Sequence, residues 1–285
     1  MTNPHVIDLD PNFLAQIKVP LAVNKFRFSG GETHIKLEHN IDLVTDVLIR
    51  HRLNSAENIM ELLLATDAAK RRFRKVRVSA LFPYIPYARQ DKVMAQGEPF
   101  SLKVFANLIN AQNYETVWVL DPHSDISDAL IENIRHIDPY YLFNAKDDII
   151  KNFGENFVMV SPDGGALKKI YKNATFIGYK GPIYCATKLR DVSTGKIVRT
   201  TLDATKKDLK GKTVWIQDDI CSGGRTFIEL SKVLKNKGAK HVVLSVSHYE
   251  GIADEDKIKD SGIEQIYTTN SISNAGTDLV KRFSI

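Results

Sequence analysis

The chain has 285 residues, 43% of them apolar and 26% charged, with a formal net charge of +5. That size and balance suit two α/β domains of ordinary size or one large one, and exclude a disordered chain. No apolar run approaches the ~18 residues of a membrane span, and MTNPHVIDLDPNF has no basic or apolar leader region, so no membrane partner and a cytoplasmic location are expected.

Two cysteines, Cys185 and Cys221, make no disulfide framework. The densest basic run, Arg71-Arg72-Phe73-Arg74-Lys75, reads as a solvated helix end, and no nucleic-acid partner is expected.

Residues 6–27 show little pattern beyond a strand around Leu21–Val23. Phe28-Ser29-Gly30-Gly31-Glu32 reads as a turn, and Thr33–Leu37 alternates as a strand. Apolar periodicity predicts a helix over Ile59–Lys70, and Val76–Phe82 reads as a buried parallel strand ended by Pro83 and Pro86. Those prolines exclude regular structure from the next segment, in which Arg89-Gln90-Asp91 forms a polar triplet. Ser101–Asn110 is a helix with Leu102, Phe105, Leu108 and Ile109 apolar. Val117–Leu120 is a strand running into Asp121-Pro122-His123-Ser124-Asp125. A lone loop histidine is usually mere surface, but His123 stands among carboxylates just past a strand's carboxyl end, where metal or phosphate binds.

Over 138–152 the pattern loosens, and the domain boundary is placed there, at 145/146. Val158–Val160 is a strand ending in Ser161-Pro162-Asp163-Gly164-Gly165, with a helix from about Ala166. Pro182–Thr187 is a strand, with Lys188 and Arg190 leaving its end. Residues 191–212 are polar and read as a hairpin or a mobile flap. Strands are also expected at His241–Val246, followed by Ser247-His248-Tyr249-Glu250-Gly251, and near Gln265–Tyr267.

The central stretch is Val214–Lys237. A short strand, Val214-Trp215-Ile216, meets Asp218 and Asp219. The turn Ser222-Gly223-Gly224-Arg225-Thr226 follows, then a helix with Phe227, Leu230 and Leu234 on one face, closed by Lys237 and Gly238. The turn's N–H groups and the positive end of the helix dipole can hold a phosphate. The carboxylates can accept hydrogen bonds from vicinal hydroxyls, or reach a metal through water. Together they describe a ribose phosphate site. A purely structural strand–turn–helix connection is the bland alternative, yet adjacent like charges repel unless something lies in front of them. Cys221 reads as a small packing residue. Polar clusters at strand ends throughout predict an α/β fold class with two largely parallel sheets flanked by helices.

PYARQDK at 86–92, DPHSD at 121–125, SPDGG at 161–165, Lys188-x-Arg190 and DDI at 218–220 resemble, in order and spacing, the ribose-phosphate diphosphokinases (PRPP synthetases). SLKVFANLI at 101–109 and FSGGE at 28–32 add to a likeness that covers most of the chain. The resemblance implies two tandem type I phosphoribosyltransferase-like domains, 1–145 with the ATP site and 146–285 with the ribose phosphate site and a catalytic flap. The implied reaction moves the β,γ-diphosphoryl group of magnesium-bound ATP to the anomeric hydroxyl of a ribose 5-phosphate unit, releasing AMP. By the same resemblance Arg89, Gln90 and Asp91 would line the ATP site, with Phe28 and Glu32 near the adenine of a neighbouring subunit. His123 and Asp163 would sit at the magnesium and triphosphate, and Lys188 and Arg190 would neutralise the transferring group. Asp218 and Asp219 would take the ribose hydroxyls, and Ser222, Gly223, Gly224, Arg225 and Thr226 the 5-phosphate. Few protein ligands suit magnesium, and phosphoryl transfer needs charge neutralisation above all.

Three departures stand out. The phosphate turn has Gly223 where the family usually has a hydroxyl and Arg225 where it has glycine. Gly30 replaces an acid, and the chain ends soon after its last strand, against the family's hexamer and its allosteric control. A guanidinium suits a second phosphate, so the turn favours ADP-ribose as acceptor and resembles the phage-type branch that makes ADP-ribose 1-diphosphate for NAD synthesis, in a host's cytoplasm. Ribose 5-phosphate is the alternative. A homo-oligomer, dimer or hexamer, is expected. A non-catalytic regulatory subunit and a PRPP-using phosphoribosyltransferase are the other readings.

Overall fold

The computed structural model describes residues 4–10, 20–38, 43–190 and 197–285, with backbone alone for 188–190 and 197–199. Contacts divide the chain into two compact units, Met1–Asp138 and Pro139–Ile285.

The first unit runs β1 (His5–Asp8), β2 (Pro20–Leu21), β3 (Val23–Arg27), β4 (Thr33–Leu37), β5 (Asp46–Arg50), α1 (Ala56–Arg72), β6 (Arg77–Leu81), α2 (Ser101–Asn110), β7 (Val117–Leu120), α3 (Ile126–Leu130) and β8 (Ile134–Ile137). Six strands form one sheet in the order β2-β1-β5-β6-β7-β8, every pairing parallel. β3 and β4 form a separate antiparallel hairpin against α1.

Local chemistry explains α1. Ser55 Oγ accepts the Asn58 N–H, and Lys70, Arg71 and Arg72 fill its last turn, where cations favour the helix dipole. Its Ile59, Leu62, Ala65 and Ala69 recur at helical spacing and are buried against Ile49, Val78 and Ala80 of the sheet.

The second unit runs α4 (Tyr141–Phe153), β9 (Phe157–Ser161), α5 (Gly164–Phe176), β10 (Ile183–Arg190), β11 (Ile197–Leu202), α6 (Lys206–Leu209), β12 (Thr213–Cys221), α7 (Arg225–Asn236), β13 (His241–Tyr249), α8 (Glu255–Asp260), β14 (Ile263–Thr269) and β15 (Val280–Phe283). Its sheet order is β11-β10-β9-β12-β13-β14-β15, with only the β10–β11 pairing antiparallel. The sheet is covered on both faces. Met159, Trp215, Val243 and Tyr267 pack with α4 and α5, while Val160, Ile216 and Leu244 pack with α7 and α8. A continuous apolar run such as Val214-Trp215-Ile216 needs two covered faces, because alternate side chains point opposite ways.

Several elements depart from the sequence expectation. α4 occupies the segment whose pattern loosens, because Tyr141, Leu142, Ala145 and Ile149 form its buried stripe amid Asp147, Asp148 and four lysine or asparagine positions. It packs on β13 and β14, so the division at Asp138/Pro139 falls ahead of 145/146. β12 is longer than Val214–Ile216 and carries Asp218, Asp219 and Cys221 within the strand, since its ladder with β13 continues to Cys221↔Tyr249. β13 likewise extends past Val246 to Tyr249. Lys188 and Arg190 lie inside β10 rather than beyond it, because β11 pairs with that stretch as an antiparallel hairpin. Residues 191–196, part of the flap expected over 191–212, lie outside the described residues.

Candidate active site

The second unit brings its candidate residues to one edge of the sheet. β9 and β12 are parallel neighbours, with Val160 opposite Ile216, so Asp163 leaves the same end at which Asp218 and Asp219 stand. Asp219 is buried, and its N–H donates to Asp218 Oδ1 at 2.9 Å. Burial, and then the charges of Asp219 and Asp163, push the Asp218 carboxyl well above the usual carboxylate range. Lys169 of α5 places Nζ 3.9 Å from Asp219 Oδ2. An acidic cluster of this kind is complementary to hydroxyl donors and to cations.

Asp163 is also the N-cap of α5. Its Oδ1 accepts the N–H groups of Gly165 at 3.1 Å and Ala166 at 3.2 Å, which explains why that helix begins at Gly164 rather than near Ala166. A Cβ at Gly164 would meet nothing within 4 Å, so the first turn of α5 is open to a ligand.

After β12 the chain turns through Ser222 and Gly223 into α7. Gly224 takes φ 72°, the left-handed region, and a Cβ there would lie 3.1 Å from Ile258 Cδ1. Glycine is therefore required at 224 by both backbone and packing. At Gly223 a Cβ would meet nothing within 4 Å. Arg225 is exposed at the first position of α7, and Thr226 is half-buried beside it. Cys221 is fully buried, and burial pushes its thiol up to about 12, as a packing residue requires.

In the first unit two loops leave the same edge of the sheet. Phe82 N–H donates to Trp118 O at 3.1 Å and Leu120 N–H to Pro83 O at 2.9 Å, tying the end of β6 to that of β7. Arg89 and Gln90 follow β6 and are exposed, with Asp91 half-buried, and Leu102 N–H donates to Gln90 O at 3.2 Å to anchor the triplet on α2. Exposed His123 follows β7. Each loop contains a non-glycine residue in the left-handed region, Tyr87 at φ 63° and Asp121 at φ 42°, a strain that clusters at functional sites.

Phe28 and Glu32 stand apart, at the tip of the β3–β4 hairpin. Phe28 is 52% exposed and forms a ring cluster with Phe26 and His34, with centroids 5.1 to 5.5 Å apart. The Glu32 carboxylate lies over Gly30, where a Cβ would approach Oε2 to 2.6 Å. Glycine at 30 thus makes room for Glu32.

Among the described residues no three His, Cys, Asp or Glu side chains gather as a metal ligand set. With Asp163 Oδ1 engaged as a cap, the donor set fits a cation held mainly by phosphate oxygens and water, as magnesium usually is.

The fold and this edge define the class. Residues 145–281 match the family model of the phosphoribosyl transferase domain, and residues 9–112 match that of the N-terminal domain of ribose phosphate pyrophosphokinase. A ribose-phosphate pyrophosphokinase of Thermosipho africanus is 30% identical over 91% of this chain and 80% of its own length. That of Saccharolobus solfataricus is 26% identical over 95% and 92%. The crystal structure of phosphoribosylpyrophosphate synthetase from Mycobacterium smegmatis superposes with a TM-score of 0.76 at 25% identity, covering 93% of this chain and 86% of that one. The chain belongs to the ribose-phosphate pyrophosphokinase family. It is an ATP-dependent diphosphotransferase built as two α/β domains with largely parallel sheets.

Sequence reasoning missed Lys169. Its position in a lysine-rich helix gives no signal until α5 is laid on β12.

Proposed function

We propose that the enzyme transfers the β,γ-diphosphoryl group of ATP to the 1-hydroxyl of ribose 5-phosphate, releasing AMP, in nucleotide biosynthesis. The observation that carries this reading is the second unit's edge, where the half-buried Asp218 and the buried Asp219 stand beside an open glycine turn and the N-terminus of α7. The names of its relatives support ribose 5-phosphate as acceptor rather than ADP-ribose. Asp218 and Asp219 accept hydrogen bonds from the ribose hydroxyls and fix the ring. Ser222, Gly223, Gly224, Arg225 and Thr226 hold the 5-phosphate with backbone N–H groups and the helix dipole. The orientation so obtained brings the anomeric hydroxyl into line for attack at phosphorus, the main service a protein renders to this reaction.

Arg89, Gln90 and Asp91 bind ATP, and Phe28 and Glu32 meet the adenine of a neighbouring protomer in a homo-oligomer. Lys188 and Arg190 neutralise the transferring group. Asp163 in the second unit and His123 in the first are each candidates to meet magnesium, which would supply charge neutralisation on the triphosphate. The protein acts in the cytoplasm.

ADP-ribose is kept as a second reading by the exposed Arg225 guanidinium and the open space at Gly223. AMP formation from magnesium ATP with each acceptor, at matched concentrations, tests both. Higher kcat/KM with ribose 5-phosphate is expected. Higher kcat/KM with ADP-ribose would replace the reading, and silence with both would restore the regulatory subunit.

A further inference from the structure

α5 meets β12 through two polar rungs. Asn173 Nδ2 donates to Gln217 Oε1 at 3.3 Å, and one helical turn earlier Lys169 Nζ stands 3.9 Å from Asp219 Oδ2. The spacings match physically: four helical residues rise about 6 Å, and two strand residues advance about 6.6 Å. Trp215, two positions before Gln217, packs into the apolar layer that includes Ala174 of α5. This face of β12 therefore passes from apolar core at Trp215, through buried Gln217, to buried Asp219 at the site edge.

A carboxylate 4% exposed beside two further acids needs a countercharge, since a buried anion without one is strongly unfavourable. Lys169 supplies one from α5, its side chain 25% exposed. At 3.9 Å the pair is looser than a charge-assisted hydrogen bond of about 2.8 Å. At that distance the ammonium acts on Oδ2 through its charge.

We propose that Lys169 is a positioning residue of the acceptor site, acting through Asp219 to hold its carboxylate in one orientation toward the sugar hydroxyls. This rests on the reading that Asp218 and Asp219 bind those hydroxyls. Nothing else assigned to the reaction lies on α5 beyond its cap, so the helix contributes a second element to acceptor binding.

The test is steady-state AMP formation from magnesium ATP and ribose 5-phosphate by wild type, Lys169→Met, Lys169→Arg, Asp219→Asn and the Lys169→Met/Asp219→Asn double variant. Lys169→Met should raise the acceptor KM about tenfold, the scale of one weakened charged contact, with the KM for ATP within about twofold. Lys169→Arg should recover most of that loss, and the double variant should be no worse than Asp219→Asn alone. An unchanged acceptor KM in Lys169→Met while Asp219→Asn raises it would overturn the proposal and leave the acceptor reading intact. Additive losses in the double variant would also overturn it. An acceptor KM untouched by Asp219→Asn would sink the reading beneath it. Should Lys169→Met melt well below wild type, Lys169→Gln takes its place under the same criteria.

Discussion

Asp163 carries two roles that can be separated by substitution. It caps α5 through Oδ1 with two backbone N–H groups, and it faces the acidic edge, where its charge contributes to raising Asp218. Asp163→Ala removes both roles. Losing the cap costs about 1 kcal/mol, which in a unit of this size lowers the melting midpoint by roughly 2–4 °C. Asp163→Ser and Asp163→Asn retain a side-chain oxygen for the Gly165 and Ala166 N–H groups but lose the charge. Their stability should lie within a few tenths of a kcal/mol of wild type, since Ser, Asn and Asp cap about equally well. Activity should nevertheless fall with all three, and by about a hundredfold if the carboxylate holds the magnesium–triphosphate, as with groups that stabilise developing charge. The assay pairs thermal unfolding with AMP formation across a magnesium titration. Wild-type activity in Asp163→Ser would refute the chemical role and leave Asp163 a helix cap. Equal destabilisation by Ser and Ala would refute the cap.

Three further outcomes follow from particular contacts. Trp215 Nε1 donates to Ser245 Oγ at 2.7 Å with both residues fully buried; Ser245→Ala strands the indole N–H, and urea unfolding should show a loss of about 1–3 kcal/mol. Gly224→Ala meets the left-handed backbone and Ile258 Cδ1 at 3.1 Å and should lose about 1–2 kcal/mol, whereas Gly223→Ala, in open space, should leave the urea midpoint within error.

Burial depresses the pKa of His51, whose ring meets Glu61 at 2.9 Å, with Lys25 and Asp10 also acting on it. A depressed histidine contributes stability that is present above its unfolded value of 6.5 and lost as pH falls below it. Wild type should lose up to about 1.4 kcal/mol per pH unit more than His51→Gln between pH 6.5 and 5.5. Equal slopes would show that His51 is protonated without cost in the folded chain.

Legibility differed by element. Ser101–Asn110 and Val117–Leu120 stand where their apolar spacing puts them, because each has one unambiguous period and a clear stop. α4 was hidden by the charges interrupting its stripe, and β15 and β8 are short strands whose sequences carry as many polar as apolar residues. β12 is longer than its apolar run, and the polar residues at its end have the composition of a loop. Only the pairing with β13, which continues to Cys221↔Tyr249, shows that Asp218 and Asp219 are strand residues.

By itself the sequence determined the α/β class, the repeated strand–acid–glycine–helix units and the motif order that marks the family. Those properties are local: turn glycines, acids just past strand ends and apolar runs for covered strands each stand within a few adjacent residues. What only the tertiary structure decided is which charges share one space. That Asp163, Asp218, Asp219 and Lys169 come together depends on strand register and helix packing. Register and packing are set by the summed burial of two cores, a cooperative quantity that no short stretch of chain contains.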